Sequence, residues 1–90
     1  MGESVPQRAP GLLEEDLDEE IVILQGDRDA VHVLNETAAE IWRLVDGVRD
    51  RGAIVAAFAE PYPDVDRAEL ARDVDAILSD FAAKELLAPA

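Results

Sequence analysis

The sequence is poor in the residues that build most catalytic and metal centres. Its 90 residues include no cysteine and a single histidine, His32. Without cysteine there can be no disulfide, no thiolate zinc site and no cysteine nucleophile. One histidine leaves no second imidazole for a metal pair, and no glycine-rich turn near it presents a nucleophile for a catalytic triad. We therefore expect no catalytic residue, no metal and no cofactor.

Basic residues are also scarce. Eight Lys and Arg residues stand against 21 Asp and Glu residues, which gives a formal net charge of −13. Such a chain repels a phosphate backbone at long range and offers no basic stripe to nucleic acid or to an anionic membrane. The charge favours a basic peptide or a basic patch on a larger protein as a partner, or it serves solubility alone.

Long apolar runs are absent as well. No stretch approaches the roughly 20 apolar residues that span a bilayer, and the N-terminal segment MGESVPQRAP lacks the apolar core of a secretory signal. We expect a cytoplasmic protein. Ninety residues fit a single domain whose ligand site is shallow or lies at an edge.

Residues 1–11 differ from the rest because they contain two Pro and two Gly and show no periodicity. This composition predicts a flexible N-terminal arm over residues 1–11, ending in the turn APG. The folded domain is predicted to extend over residues 12–88.

Three short runs after the arm have the character of β-strands. They lie at residues 12–16, at residues 21–24, where β-branched residues concentrate, and at residues 30–34, AVHVL. The segments DLDEE and QGDRDA between them have turn composition. Because both connections are short, we expect a three-stranded antiparallel β-meander.

Three amphipathic helices are predicted to follow the strands. Their N-caps are Asn35, Asp50 and Asp66, the first helix ends near Gly47, and the second stops before Pro61. The core-facing stripes are Ala38, Ile41, Trp42 and Val45, then Ile54, Ala57 and Phe58, then Leu70, Val74, Ile77, Leu78 and Phe81. Strands segregated from helices are typical of an α+β fold.

The sheet edges are the remaining candidates for function. In a meander of three strands, the first and the third strands are both edges. The first carries Glu and Asp, which protect an edge from pairing, whereas the third is apolar and uncharged. A peptide could add to the third strand and place alternate side chains in a groove beside the third helix. His32 would then be a contact residue and not a catalyst.

The segments PGLLEEDLDEE, VHVLNETAAEIWRLVDG, AIVAAF and DVDAILSDFAAKELL follow one another over nearly the whole chain. Together they resemble the PqqD-like family. The most specific block is Leu34, Asn35, Thr37, Ala38, Ile41, Leu44, Asp46 and Gly47, and Asp73 with Val74 forms a weaker one. The chain departs from the family at DRGAI, which opens the second helix, and at the closing KELL.

The resemblance implies a precursor peptide recognition element, a winged-helix-like domain of ribosomal peptide pathways. Such a domain binds the leader segment of a precursor peptide and presents the peptide to a modifying enzyme, without catalysis of its own. The enzyme partner would be a radical SAM enzyme, a leader peptidase or a cyclase. The pathway stays open between pyrroloquinoline quinone, lasso peptides and related systems.

We expect the leader to add antiparallel to the third strand, with its apolar anchors packed against the third helix. The expected peptide-binding residues are Ala30, Val31, His32, Val33, Leu34, Arg67, Leu70, Arg72, Asp73, Val74 and Ile77. The two arginines would pair with leader carboxylates. Leu70, Val74 and Ile77 are equally good candidates for plain core residues.

Two other classes of function fit the sequence less well. A winged-helix transcriptional regulator fits the element order, but the charge and the acidic third helix oppose DNA binding. A small enzyme would need a constellation that the chain lacks. A homodimer formed through the open third strand stays possible.

Overall fold

The computed structural model describes residues 5–26 and 29–88. Residues 1–4 of the predicted arm, and residues 27 and 28 of the predicted second turn, lie outside the described residues. The elements are β1 Leu12–Asp16, β2 Ile21–Gln25, β3 Ala30–Leu34, α1 Glu36–Leu44, α2 Arg51–Ala59 and α3 Arg67–Ala83.

The strands form one antiparallel sheet in the order β1-β2-β3. The predicted α+β meander followed by three helices is therefore confirmed. In the first turn, the Asp16 carboxylate accepts from the backbone N–H of Asp18 at 2.9 Å, and Asp18 adopts a positive φ of 71°. Aspartate tolerates this left-handed conformation better than most residues, which is why a tight hairpin forms at DLDEE.

The three predicted caps fix where the helices begin. Asn35, Asp50 and Asp66 accept hydrogen bonds from the backbone N–H groups of Ala38, Ala53 and Ala68. Each bond satisfies one of the N–H groups that a first helical turn leaves unpaired. The first helix ends at Leu44, earlier than predicted, because Val45 already leaves the helical conformation.

The core lies between the inner face of the sheet and the helices. β2 contributes Ile21 and Ile23, which are 2% and 0% exposed. Trp42 of α1 is completely buried, and its ring meets Phe81 of α3 edge to face with centroids 5.2 Å apart. The predicted core role of Trp42 is confirmed.

The two ends of the described chain are held together beside Trp42. The N–H of Ala9 donates to the carbonyl of Leu86 at 2.9 Å, and the N–H of Ala88 donates to the carbonyl of Gln7 at 2.8 Å. Arg8 lies over the Trp42 ring, 4.7 Å from its centroid. Residues 7–9 thus make fixed contacts with the domain, although they fall within the predicted arm, whose boundary at residue 11 stays a prediction.

In residues 5–26 and 29–88, no helix combines the length and the apolar character needed to cross a bilayer.

The Asp-Gly pair of the sequence block, Asp46 and Gly47, forms the turn after α1. The Asp46 carboxylate accepts from the backbone N–H groups of Val48 and Arg49 at 2.9 and 3.0 Å, and Gly47 takes the left-handed conformation with φ 79°. These bonds to the Arg49 and Val48 amides, together with the nearby Arg49 guanidinium, lower the pKa of Asp46 from its ordinary value of 3.8.

We expect the Asp46→Asn variant to be less stable than wild type at pH 7 and to match it in strong acid. The folded pKa is lower than the unfolded one, so ionised Asp46 stabilises the fold fully above the ordinary value of 3.8 and progressively less as the pH falls below it. Thermal melts from pH 7 to pH 2 will measure the difference in Tm. Arg49→Gln, which keeps both backbone bonds, should have a smaller effect. A difference in Tm that does not change with pH would contradict this role of Asp46.

Candidate functional site

The open edge of β3 presents its backbone groups at Val31 and Val33. The ladder between β1 and β2 starts where the Leu17 N–H donates to the Glu20 carbonyl at 2.8 Å. Because bonding alternates along antiparallel strands, β2 uses its even-numbered residues toward β1 and its odd-numbered residues toward β3. Those odd-numbered residues pair with Ala30, His32 and Leu34. The N–H and C=O groups of Val31 and Val33 therefore point away from the sheet.

The side chains of β3 divide between the two faces of the sheet. Val31 and Val33 are 62% and 59% exposed on the outer face. Leu13 and Leu24 share that face, since they pair in register with each other and Leu24 pairs with Val31. Ala30, His32 and Leu34 belong to the inner face, beside the helices.

His32 connects β3 to the end of α3 through Gln25. The Gln25 amide nitrogen donates to the carbonyls of Lys84 and Glu85 at 3.0 and 3.2 Å. The Gln25 amide oxygen therefore accepts from His32, whose Nε2 lies 2.8 Å away. This arrangement places a hydrogen on Nε2, and it fixes the half-buried ring at the inner side of the edge.

A groove of about 450 Å³ lies where β3 leads into α1 and faces α3. Its lining residues are Asn35, Thr37 and Ala38 from the start of α1, and Asp73, Ala76, Ile77 and Asp80 from α3. The alanines and the isoleucine form an apolar floor, and carboxylates lie on both sides of it along α3. An extended peptide on the β3 edge would direct every second side chain toward this groove.

Only some of the α3 residues that were expected to contact the peptide line the groove. Asp73 and Ile77 line it, as expected. Leu70 and Val74 are 6% and 0% exposed, because they lie on the adjacent, inward face of α3, where they pack in the core. Both residues therefore take the core position that was the alternative expected for them, and their contact with a peptide stays a prediction.

The two predicted arginines also lie away from the groove. Arg67 and Arg72 are exposed, and neither is a lining residue. Successive helical residues are separated by 100°, so Arg72 lies about a quarter turn from Asp73. The expected pairing of these arginines with leader carboxylates therefore stays a prediction, and it would take place outside the groove.

Five groove residues were not predicted as contacts. They are Asn35, Thr37, Ala38, Ala76 and Asp80. Asn35 is predicted only as a helix cap and Ala38 only as a core residue, although these two and Thr37 all belong to the most specific sequence block. The spacing of Asp73, Ala76, Ile77 and Asp80 at i, i+3, i+4 and i+7 marks one helical face, and this signal could have found the other two.

The described part of the chain contains no group of three or more His, Asp or Glu side chains arranged to hold a metal ion. What the site offers instead is an unpaired strand edge, a partly apolar groove and a negative potential. Such a surface can bind an extended peptide by main-chain pairing and side-chain contacts.

The decisive comparison is with protein families. The profile described as "Coenzyme PQQ synthesis protein D (PqqD)" matches residues 20–87 of this sequence. The chain belongs to the PqqD family. The match includes β2, β3 and all three helices, and so contains both walls of the groove.

Curated relatives in this family carry the name "PqqA binding protein". The one from Rhodopseudomonas palustris strain TIE-1 is 48% identical over 69 residues, which cover 77% of this chain and 65% of that protein. The one from Pseudomonas aeruginosa strain UCBPP-PA14 is 59% identical over 32 residues, or 36% of this chain and 35% of that protein. The matched segment thus spans less than two thirds of the length of these relatives.

Two solved structures share the fold. "TbiB1 in Complex with the TbiA(beta) Leader Peptide" has a TM-score of 0.84 at 27% identity and covers 93% of this chain and 96% of that one. "Lasso peptide synthetase B1 complexed with the leader peptide" has a TM-score of 0.80 at 21% identity, with 94% and 99% coverage. The second likeness bears on the fold alone.

Proposed function

We propose that this protein binds the leader segment of a ribosomally made precursor peptide by strand addition to β3 and delivers the peptide to a modifying enzyme. The observation that carries the proposal is the open edge at Val31 and Val33, directly beside the groove of α1 and α3. The protein would act as a peptide chaperone without chemistry of its own. Relatives named for binding PqqA, and the structure of TbiB1 in complex with a leader peptide, support the binding of a leader.

In the proposed complex the leader runs antiparallel to β3. Its backbone pairs with the N–H and C=O groups of Val31 and Val33, and alternate side chains enter the groove against Ile77 and beside His32. The remaining side chains lie next to the exposed valines on the outer face. Because the leader must be ordered on binding, and one added strand buries little surface, the affinity should be modest.

The pathway and the enzyme partner remain predictions. The family description and the relatives named for binding PqqA favour pyrroloquinoline quinone synthesis. The alternative of a winged-helix transcriptional regulator gains no support from these comparisons. We propose a cytoplasmic location. Pairing of two copies through the same β3 edge is disfavoured, because each copy carries a charge of −13 and the copies repel each other.

Titration with the leader of the precursor encoded beside this gene tests the proposal. In amide-detected NMR, we expect the largest shifts at Val31 and Val33 and at the groove residues of α3. β1 is the opposite edge of the sheet, and its outward-facing amides, those of Glu14 and Asp16, should move little. Absence of binding by calorimetry, or shifts confined to β1, would refute strand addition to β3.

A further inference from the structure

The two carboxylates of the groove differ in their electrostatic surroundings. Asp80 lies 2.8 Å from the ammonium group of Lys84, one helical turn further along α3. Asp73 makes no ion pair with any residue in the described ranges 5–26 and 29–88. The groove therefore has one end where the negative charge is compensated and one end where it is not.

The position of β3 relates these two ends to the strand direction. Gln25, the β2 partner of Ala30, bonds to the carbonyl of Lys84, so the Ala30 end of β3 lies beside the end of α3. The other end of β3 continues into Asn35, which lines the groove with α3 residues 73, 76, 77 and 80, all of which precede Lys84. The helix from Asp73 to Lys84 and the strand from Ala30 to Asn35 are each about 16 Å long. β3 and this part of α3 thus run in opposite directions over the same distance.

A leader that is antiparallel to β3 must then run in the same direction as α3. Its N-terminal residues pass Asp73, its middle residues pass Ile77, and its C-terminal residues reach Lys84. We infer that the site selects the order of charges in the leader, with Lys or Arg before the apolar anchor and a neutral or acidic residue after it. This inference rests on the proposed function, because it specifies which leader that function accepts.

The other charged groups around the groove reinforce this order. Glu69 precedes Asp73 by one turn on the same side of α3 and adds negative potential at that end. The partial positive charge at the start of α1 is opposed by Glu36 in its first turn. Arg72 lies about a quarter turn away from Asp73 and does not line the groove. The Asp73 end is therefore negative on balance.

The spacing of the basic residue also follows from the geometry. Asp73 and Ile77 are one turn apart along α3, which is about 6 Å. Two residues of an extended strand cover nearly the same distance and return the side chain to the same face. The basic residue should therefore stand two positions before the apolar anchor.

Selection from a phage-displayed library of random dodecapeptides tests the inference without a known leader. Peptides enriched on wild type and lost on Val33→Pro bind at the β3 edge. Among these peptides we expect Lys or Arg two positions before an apolar residue, in clear excess over the same charge placed after it. On Asp73→Lys, acidic residues should replace the basic ones at that position.

Affinity measurements on one selected peptide give the decisive comparison. Asp73→Lys should weaken binding of the Lys-containing peptide about tenfold, since it turns a surface attraction into a repulsion, and changing that peptide Lys to Glu should restore binding. Asp64→Lys, the same charge change in the exposed connection between α2 and α3, controls for net charge and should have little effect.

The outcomes separate the two proposals. The inference would be overturned if the edge-binding peptides showed no preferred charge order, or if Asp73→Lys and Asp64→Lys changed the affinity equally. Either result would leave the proposed function intact. Two negative results together would overturn both the charge-order inference and the proposed function: the library yields no peptide that is sensitive to Val33→Pro, and the genomic leader does not bind.

Discussion

The Val33→Pro variant should fold normally but bind the leader much more weakly, with a Kd raised by about tenfold or more. Val33 directs its N–H to the open edge, so proline removes no bond of the existing sheet, and edge strands tolerate proline for this reason. A guest strand, however, loses a donor and meets the proline ring, which leaves one of its carbonyls unpaired in the interface. Calorimetry with the genomic leader will measure the change.

Val33→Thr is the matched control for this variant, because it keeps the amide and the β-branched shape while changing only the exposed side chain. It should bind within about twofold of wild type, since exposed side-chain changes contribute little. His32→Pro should instead destabilise the sheet itself, because the His32 amide faces β2. Retained binding by a folded Val33→Pro variant would be incompatible with pairing at this edge.

The Trp42→Ala variant should lose about 3 to 5 kcal/mol of unfolding free energy. The ring is completely buried against Phe81, so its removal leaves a large cavity. Its Nε1–H also donates to the Glu14 carboxylate at 2.8 Å, and Arg8 donates to the same carboxylate at 3.0 Å. Since domains of this kind are stable by roughly 5 to 15 kcal/mol, the variant should be near the limit of folding.

Urea denaturation followed by circular dichroism will measure the loss. Trp42→Phe, which keeps a ring against Phe81 but cannot donate to Glu14, should have an intermediate effect of about 1 to 3 kcal/mol. Tyr62→Ala removes an aromatic ring that is 38% exposed and should change stability least. Comparable losses for Trp42→Ala and Tyr62→Ala would show that the cluster around Trp42 is not the centre of the fold.

The segments that sequence predicted well are those whose signals are local. The caps Asn35, Asp50 and Asp66 act on amides two or three residues away, so composition and spacing are sufficient to locate them. The strand and helix periods likewise placed Trp42 and Phe81 inside the core. The hairpin at DLDEE follows from Asp16 and Asp18, which bond within the turn.

The candidate site was predicted less completely because it depends on contacts between distant segments. Along α3, the groove face with Asp73 and Asp80 and the buried face with Val74 are separated by only a fraction of a turn. Which face meets the groove is set by the packing of α3 against α1 and the sheet. The sequence alone could not separate Val74 from Ile77, since both are apolar and stand three residues apart.

The sequence by itself determined the order of the elements, the helix caps, the uncharged third strand and the excess of negative charge. Only the tertiary structure decided that Val31 and Val33 carry the free backbone groups, because this depends on the register of the whole meander. It also decided the direction of β3 against α3, which the Gln25 bonds to the end of α3 fix across 59 and 60 residues of chain. Such long-range pairings arise from the collective packing of the core and leave no local signature in the sequence.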